Sequence, residues 1–253
     1  MAAEVRLEII AHRGASQDAP ENTRASVNLA WEQGADAVEV DVQLSKDGRL
    51  VVIHDTDTGR TAGRRKRVGQ QTLAELRALD AGGWKGAQWT GERIPTLAEV
   101  LDLIPDGKRL LVEIKCGPEC LAEFARVLRA SGKRATQIVP IGFSLETMRL
   151  FKQRLPGTSV LWVAKFSRSW KTGRWIPKPD DLIRRATTAG VDGLDVSARG
   201  PITAATVARV HAAGLGLYVW TVDSAAKARQ LAAAGVDGIA TNRPQWLREQ
   251  LRD

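Results

Sequence analysis

The tightest constraint on what this chain can fold into is an internal echo. Gln33-Gly-Ala-Asp-Ala-Val-Glu-Val40, Ala189-Gly-Val-Asp-Gly-Leu-Asp-Val196 and Ala234-Gly-Val-Asp-Gly-Ile-Ala-Thr241 share one pattern, and Ala213-Gly-Leu-Gly-Leu-Tyr-Val-Trp220 is a looser fourth copy. Gly34, Gly190 and Gly235 each close an Ala-rich or amphipathic run, where the residue after a helix needs a positive φ, and each leads within three residues into a β-rich segment. Repeated helix–glycine–strand joints are the grammar of βα units and therefore of a parallel sheet. Strands are predicted near residues 7–12, 37–44, 110–115, 138–143, 159–163, 193–196, 216–220 and 237–241, and helices at about 22–33, 96–104, 119–130, 145–154, 180–189, 203–213, 224–234 and 244–251. Eight such units in 253 residues favour a closed (β/α)8 barrel over an open doubly wound sheet.

Two stretches do not fit simple βα loops. Residues 55–95 are too long for one, carry the run Arg64-Arg-Lys-Arg67 and include Trp84 and Trp89, which predicts a small insertion (56–95) at the barrel mouth within one domain spanning 1–253. Thr72-Leu-Ala-Glu75 and Thr96-Leu-Ala-Glu99 have capping-box spacing. Residues 164–179 interleave Lys165, Arg168, Lys171 and Arg174 with Trp170 and Trp175. Such an amphipathic lip can stack on a quaternary ammonium or rest at a lipid interface, so both indoles are candidate substrate contacts.

With 37 Lys and Arg against 29 Asp and Glu the formal charge is +8, which favours anionic partners without choosing among phosphate esters, nucleic acid and lipid. No run of ~18 apolar residues occurs. The start, Met1 to Leu7 with Glu4 and Arg6, lacks the apolar stretch of a secretory signal, so a cytoplasmic location is expected. Cys116 and Cys120, the only cysteines, are too few for a disulfide framework and read as free thiols.

The second strand carries the chemistry. Glu39, Asp41 and Gln43 alternate with Val38, Val40, Val42 and Leu44. The outer face of a barrel packs on helices, so the carboxylates point into the mouth, where unpaired like charges are costly unless a cation compensates them. Strand 110–115 adds Glu113 and Lys115 in the same alternation. Three carboxylates without a His or Cys partner suit a hard divalent metal, Mg²⁺ or Ca²⁺. Lys46-Asp-Gly-Arg49 is a tight-turn sequence, so Val51-Val-Ile-His54 returns antiparallel; with the turn centred between Lys46 and Asp47, Glu39 falls opposite His54. His12 ends the first strand at the same rim. Two imidazoles converging on a carboxylate cluster are candidates for acid/base catalysis, whereas His211, inside a helix, reads as structural. Arg13 can grip a phosphate bidentately and Lys115 can serve as a point charge. Metal, histidines and cations together describe phosphoryl transfer.

These residues resemble the glycerophosphodiester phosphodiesterases. The matching runs are Ala11-His-Arg-Gly14, Pro20-Glu-Asn-Thr23, Glu39-Val-Asp-Val42, Lys46-Asp-Gly48, His54-Asp55, Thr72-Leu-Ala-Glu-Leu76, Ile94-Pro-Thr-Leu97, Glu113-Ile-Lys115, Val219-Trp-Thr-Val222 and Gly235-Val-Asp-Gly-Ile-Ala-Thr-Asn242, in order along nearly the whole chain. The resemblance implies a distorted (β/α)8 TIM barrel with a small insertion after the second strand and its hairpin, hydrolysing glycerophosphodiesters to sn-glycerol 3-phosphate and an alcohol. His12 and His54 would be the acid/base pair, Glu39, Asp41 and Glu113 the metal ligands, Arg13 and Lys115 the phosphate holders, and Trp220 the lining of the glycerol side. The resemblance further implies attack by the substrate's own glycerol 2-hydroxyl on phosphorus, giving a cyclic phosphate that water opens. The Pro20-Glu-Asn-Thr23 run, with Glu21 and Asn22, would cap the first helix and buttress the site rather than perform chemistry. Asn242 stands where many members carry Asp.

Three functions are weighed. The first is a metal-dependent phosphodiesterase whose partner is a small-molecule glycerophosphodiester, with no nucleic acid and no required membrane surface. The second is a lysophospholipase D, in which the Trp170/Trp175 loop grips lysolipid at a membrane. The third is a non-catalytic anion-binding barrel, which the His12/His54 pair argues against, since binding alone needs cations and no acid/base pair.

Overall fold

In the computed structural model, which describes residues 7–252, each copy of the echo is a helix end feeding a barrel strand. Met1 to Arg6, most of the start read for a secretory signal, lie outside the described residues. The strands are β1 (Glu8–His12), β2 (Ala37–Leu44), β3 (Leu50–Val52), β4 (Arg109–Ile114), β5 (Ile138–Gly142), β6 (Leu161–Ala164), β7 (Ser167–Arg168), β8 (Trp175–Ile176), β9 (Gly193–Ser197), β10 (Gly216–Trp220) and β11 (Gly238–Thr241). The helices are α1 (Arg24–Glu32), α2 (Gly59–Ala62), α3 (Leu73–Arg77), α4 (Leu97–Leu101), α5 (Leu121–Ala130), α6 (Leu145–Arg154), α7 (Pro179–Ala189), α8 (Ala204–Ala212), α9 (Ala225–Ala234) and α10 (Pro244–Gln250). All strands but β3, β7 and β8 run parallel, in the order β1-β11-β10-β9-β6-β5-β4-β2, and pairing of β1 with β2 closes them into an eight-stranded TIM barrel.

The echo has a physical basis at each of its positions. Gly190 and Gly235 follow α7 and α9 with φ of 71° and 85°, the left-handed conformation that lets a helix end and the chain turn into the sheet. Two residues on, Asp36, Asp192 and Asp237 each accept a hydrogen bond from a backbone N–H on the neighbouring strand's side: Ile9 at 3.0 Å, Val160 at 2.8 Å and Leu217 at 2.6 Å. Five residues on, Glu39, Asp195 and Ala240 face the barrel interior. The intervening Val38, Val40, Val42, Leu194, Val196 and Ile239 belong to the main core between sheet and helices.

After β2 the chain makes a hairpin whose register differs by one residue from that expected. Val42 pairs with Val52 and Gln43 with Val51, so the turn centres on Asp47, and Glu39 is not opposite His54. The extra residue is Gly48, at φ 73°, whose N–H donates to the Ser45 carbonyl at 3.0 Å: a turn followed by a left-handed residue rather than a symmetric turn. The ladder ends soon after, and the Gln43 amide donates to the carbonyls of His54 and Asp55, so His54 reaches the mouth from a loop. Residues 56–95 then form α2, α3 and short 3₁₀ turns around a separate small core that includes Ile53, Val68, Leu76, Ala81 and Ile94. Thr72 and Thr96 close capping boxes with Glu75 and Glu99. Cys116 and Cys120 are free thiols. No helix among the described residues is long and apolar enough to cross a membrane.

Candidate active site

The strand ends converge on a cavity of about 290 Å³ at the barrel mouth. His12, Arg13, Glu39, His54, Glu113 and Lys115 line one side of it, and Phe143, Lys165, Asp195 and Trp220 the other. Asp41, two residues after Glu39 on β2 and in register with Glu113, is buried beside the first group, 1 % exposed. The sequence-derived histidines, carboxylates and cations therefore meet in one place, with Trp220 facing them.

The carboxylates are held by backbone geometry that few residues adopt. Arg13 and Asn22 have φ of 57° and 59°, strained for non-glycine residues. At Arg13 this turn aims the backbone N–H at Glu39 Oε2, 2.9 Å away. At Asn22 it places the side chain to donate to Asp41 Oδ2 at 2.8 Å and to accept from the Asp41 N–H at 3.0 Å. Asn22 thus buttresses the site, and the run's last residue, Thr23, caps α1 by accepting from the Ser26 N–H. Glu21 instead accepts from Arg13 at 2.9 Å and from Arg60 at 2.7 Å.

Glu39, Asp41 and Glu113 each present one oxygen within 4.8 Å of the others, a grouping that could hold a metal ion. Their electrostatics differ. Burial, then the charges of Asp41 and Glu113, hold Glu39 well above the usual carboxylate range. Burial and Asp41 raise Glu113. Burial would raise Asp41 as well, but Lys115 and Arg13 outweigh it and its pKa falls. Lys115 Nζ lies 2.7 Å from Glu113 Oε1 and 3.1 Å from Asp41 Oδ1, and Arg13 Nε lies 3.3 Å from Asp41 Oδ2. The two cations read from the sequence as phosphate holders are therefore ion-paired with the acidic cluster. Compensation is incomplete, because Glu39 Oε1 is buried without a hydrogen-bond or ion-pair partner among the described residues, while Asp41 Oδ1 has only the Lys115 ammonium. An oxygen-only donor set with such an orphaned atom fits a hard divalent cation.

The histidines sit in contrasting settings. His12 Nδ1 is 2.8 Å from Asn242 Oδ1. The Asn242 amide donates to Asp223 Oδ2 at 2.6 Å, which fixes its oxygen toward His12. Nδ1 therefore carries the proton, and Nε2 is left with its lone pair. Burial, then the Arg13 charge, lowers the His12 pKa. His54 Nδ1 faces a carboxylate instead, Asp55 Oδ1 at 2.7 Å. Asp55 is drawn down to about 2 by the hydrogen bond from Arg60 and, more weakly, by His54.

Next to the cavity, and sharing His54 and Lys115 with it, opens a wider cleft of about 850 Å³ lined by Asp55, Thr56, Asp57, Arg60 and Arg65. Trp170 and Trp175 are in neither hollow. Trp170 is 89 % exposed, and Trp175, on the β7–β8 hairpin, packs edge-on to Phe166 with ring centres 6.4 Å apart. From their loop only Lys165 reaches the cavity, over the rings of Phe143 and Trp220 at 5.1 and 5.3 Å. Sequence reasoning missed Asp195, although its place in the echo matches that of Glu39; it also missed Asp55 and Arg60, whose pairing depends on the path of the 56–95 loop.

Comparison with known proteins agrees with this geometry. Residues 12–246 match the glycerophosphoryl diester phosphodiesterase family. The chain is 35% identical to a glycerophosphodiester phosphodiesterase of Caldanaerobacter subterraneus subsp. tengcongensis over 244 residues, 94% of this chain and 95% of that one. Its fold superposes with TM-score 0.85 and 30% identity on an Oleispira antarctica phosphodiesterase solved in complex with the product sn-glycerol-3-phosphate, covering 97% of each chain. A glycerophosphodiester phosphodiesterase from Agrobacterium tumefaciens is similar at TM-score 0.79 and 28% identity, covering 96% of this chain and 100% of that one.

Proposed function

The chain belongs to the glycerophosphoryl diester phosphodiesterase family and is a phosphoric diester hydrolase, and from that premise we propose that it is a metal-dependent enzyme releasing sn-glycerol 3-phosphate and an alcohol by His12/His54 acid/base catalysis. The observation that carries this reading is the convergence of both histidines, the acidic cluster and two cations on one cavity.

Glu39, Asp41 and Glu113 would hold Mg²⁺ or Ca²⁺, which when bound neutralises charge on the phosphoryl oxygens. Arg13 and Lys115 orient the phosphate; with a cation in the acidic cluster their charges are freed toward it. His12, neutral and with Nε2 unprotonated, takes the proton of the attacking glycerol 2-hydroxyl. His54, steadied by the Asp55 carboxylate, protonates the leaving alcohol oxygen. Water then opens the cyclic phosphate with the two roles reversed. Trp220 flanks the glycerol side.

The leaving alcohol lies toward the cleft beyond His54 and Lys115. None of the cleft's lining side chains is a hydrocarbon, so it suits polar head groups such as those of glycerophosphocholine or glycerophosphoethanolamine and offers no wall for an acyl chain. This favours deacylated diesters over lysolipids. Trp170 and Trp175, on the rim, meet only the outer end of a long alcohol. In this reading the chain works in the cytoplasm as one domain, with 56–95 an insertion that completes the cleft.

The test is a coupled assay of glycerol 3-phosphate release from a panel of diesters and their lysolipid counterparts, with Mg²⁺, Ca²⁺ or chelator. Release from deacylated diesters, abolished reversibly by chelator, is expected. Preference for lysolipid would establish the lysophospholipase D reading instead, and no release from any diester would overturn both.

A further inference from the structure

Asp195 is 6 % exposed, and what it exposes faces the cavity. On β9 it stands in register between Val163 and Tyr218, and its other cavity neighbours include the apolar Ile10, Leu111, Ile141 and Ala240. Its side chain has no hydrogen bond or ion pair among the described residues. The cation on its side of the cavity, Lys165, is engaged with the rings of Phe143 and Trp220. Trp220 Nε1 donates to the Asp195 backbone carbonyl at 3.2 Å, not to its carboxyl.

A buried carboxyl without a partner is costly, and folding does not require one here. The equivalent position of the echo carries Ala240 on β11, five residues after Gly235 as Asp195 is five after Gly190, and the barrel is built equally well there. Burial, then the charge of Glu113, raises the Asp195 pKa well above the usual carboxylate range. The shift favours the protonated form, which is both donor and acceptor and does not repel a phosphate ester. Arg13 and Lys115 draw the phosphate to the opposite wall, which leaves the carbon skeleton and its hydroxyls against Trp220, Ile141 and Asp195.

We propose that the Asp195 carboxyl is a specificity-determining contact that hydrogen-bonds a hydroxyl of the glycerol moiety; this rests on the glycerophosphodiester reading above. The site tells glycerol phosphate from a plain alkyl phosphate because, without the hydroxyl, a buried acid is left unpaired.

The experiment is calorimetric titration of the Mg²⁺-loaded enzyme with sn-glycerol 3-phosphate and with propyl phosphate, for wild type, Asp195→Ala and Asp195→Asn, beside their melting temperatures. Wild type is expected to prefer glycerol 3-phosphate by about tenfold or more. Asp195→Ala should erase that preference while leaving propyl phosphate within about twofold, and should melt no lower than wild type, since it removes an unpaired buried acid. Asp195→Asn, which keeps a donor in place, should recover most of the preference. An undiminished preference in Asp195→Ala, equal loss of both ligands, or a lower melting temperature with no change in preference would each overturn the proposal. Failure of the underlying reading is distinguishable, because wild type would then release no glycerol 3-phosphate from any diester.

Discussion

Glu39 and Asp195 hold the same place in two copies of one sequence pattern, five residues after the glycine that ends a helix, and both face the barrel mouth. Their surroundings could hardly differ more. Glu39 accepts the Arg13 N–H, has Asp41 and Glu113 as neighbours and keeps one oxygen unsatisfied within reach of theirs. Asp195 has mostly apolar neighbours and no side-chain hydrogen bond or ion pair among the described residues. The echo fixes which residue points inward, and the flanking strands decide what that residue can do: β1 and β4 bring charge to Glu39, while β6 and β10 bring Val163 and the ring of Tyr218 to Asp195.

The largest effect that separates the two carboxyls is expected at Glu39. Glu39→Gln keeps the shape and removes the charge a hard cation requires, so activity should fall by at least about a thousandfold. In wild type a divalent ion at a hundredfold excess over its Kd should add about 2.7 kcal/mol to stability, a rise in melting temperature of roughly 5–10 °C. Glu39→Gln should show none of that rise. Full turnover in chelator, with no metal found by elemental analysis, would make the cluster an ion-pair network with Arg13 and Lys115 and remove the distinction drawn between its carboxyls and Asp195.

Next come the histidines on the charged side. His12→Ala and His54→Ala should each lower kcat by at least about a hundredfold with the fold intact, since positioned proton transfer contributes on the order of 10²–10⁴. Steady-state kinetics at full metal occupancy decides the matter; near-normal turnover in either variant would make that histidine structural.

The contrast also marks where sequence is legible. The eight barrel strands follow from the echo and from alternation, because both are local and repeat. The inward direction of Glu39, Asp41 and Glu113 is equally local. The hairpin register is not, since a single left-handed residue, Gly48, shifts it, and His54 arrives through a loop held by Gln43 rather than across a ladder. Asp195 is hidden for another reason: alone between Leu194 and Val196 it reads as core, and only its alignment with Glu39 in the echo points it toward the cavity. The pairing of Arg13 and Lys115 with carboxylates is tertiary, as is the use of Asn22 to hold Asp41 while Thr23 takes the cap.

Asp55 sharpens the comparison from the other end, as a carboxyl near the same histidine but close to solvent and fully partnered, with Arg60 Nε at 2.6 Å and His54 Nδ1 at 2.7 Å. Its pKa is lowered to about 2, where Asp195 is pushed up. A carboxyl that is more acidic folded than unfolded stabilises the native state above its ordinary value near pH 4 and loses that contribution as the pH falls toward 2. Partial exposure keeps the effect small. Asp55→Asn should therefore lower the urea midpoint modestly at pH 7 and leave it close to wild type near pH 2, so that the two stability curves converge on acidification. Curves that stay parallel between pH 7 and pH 2 would mean that the Arg60 and His54 contacts do not stabilise the ionised carboxyl, and that pairing and solvent exposure do not separate Asp55 from Asp195.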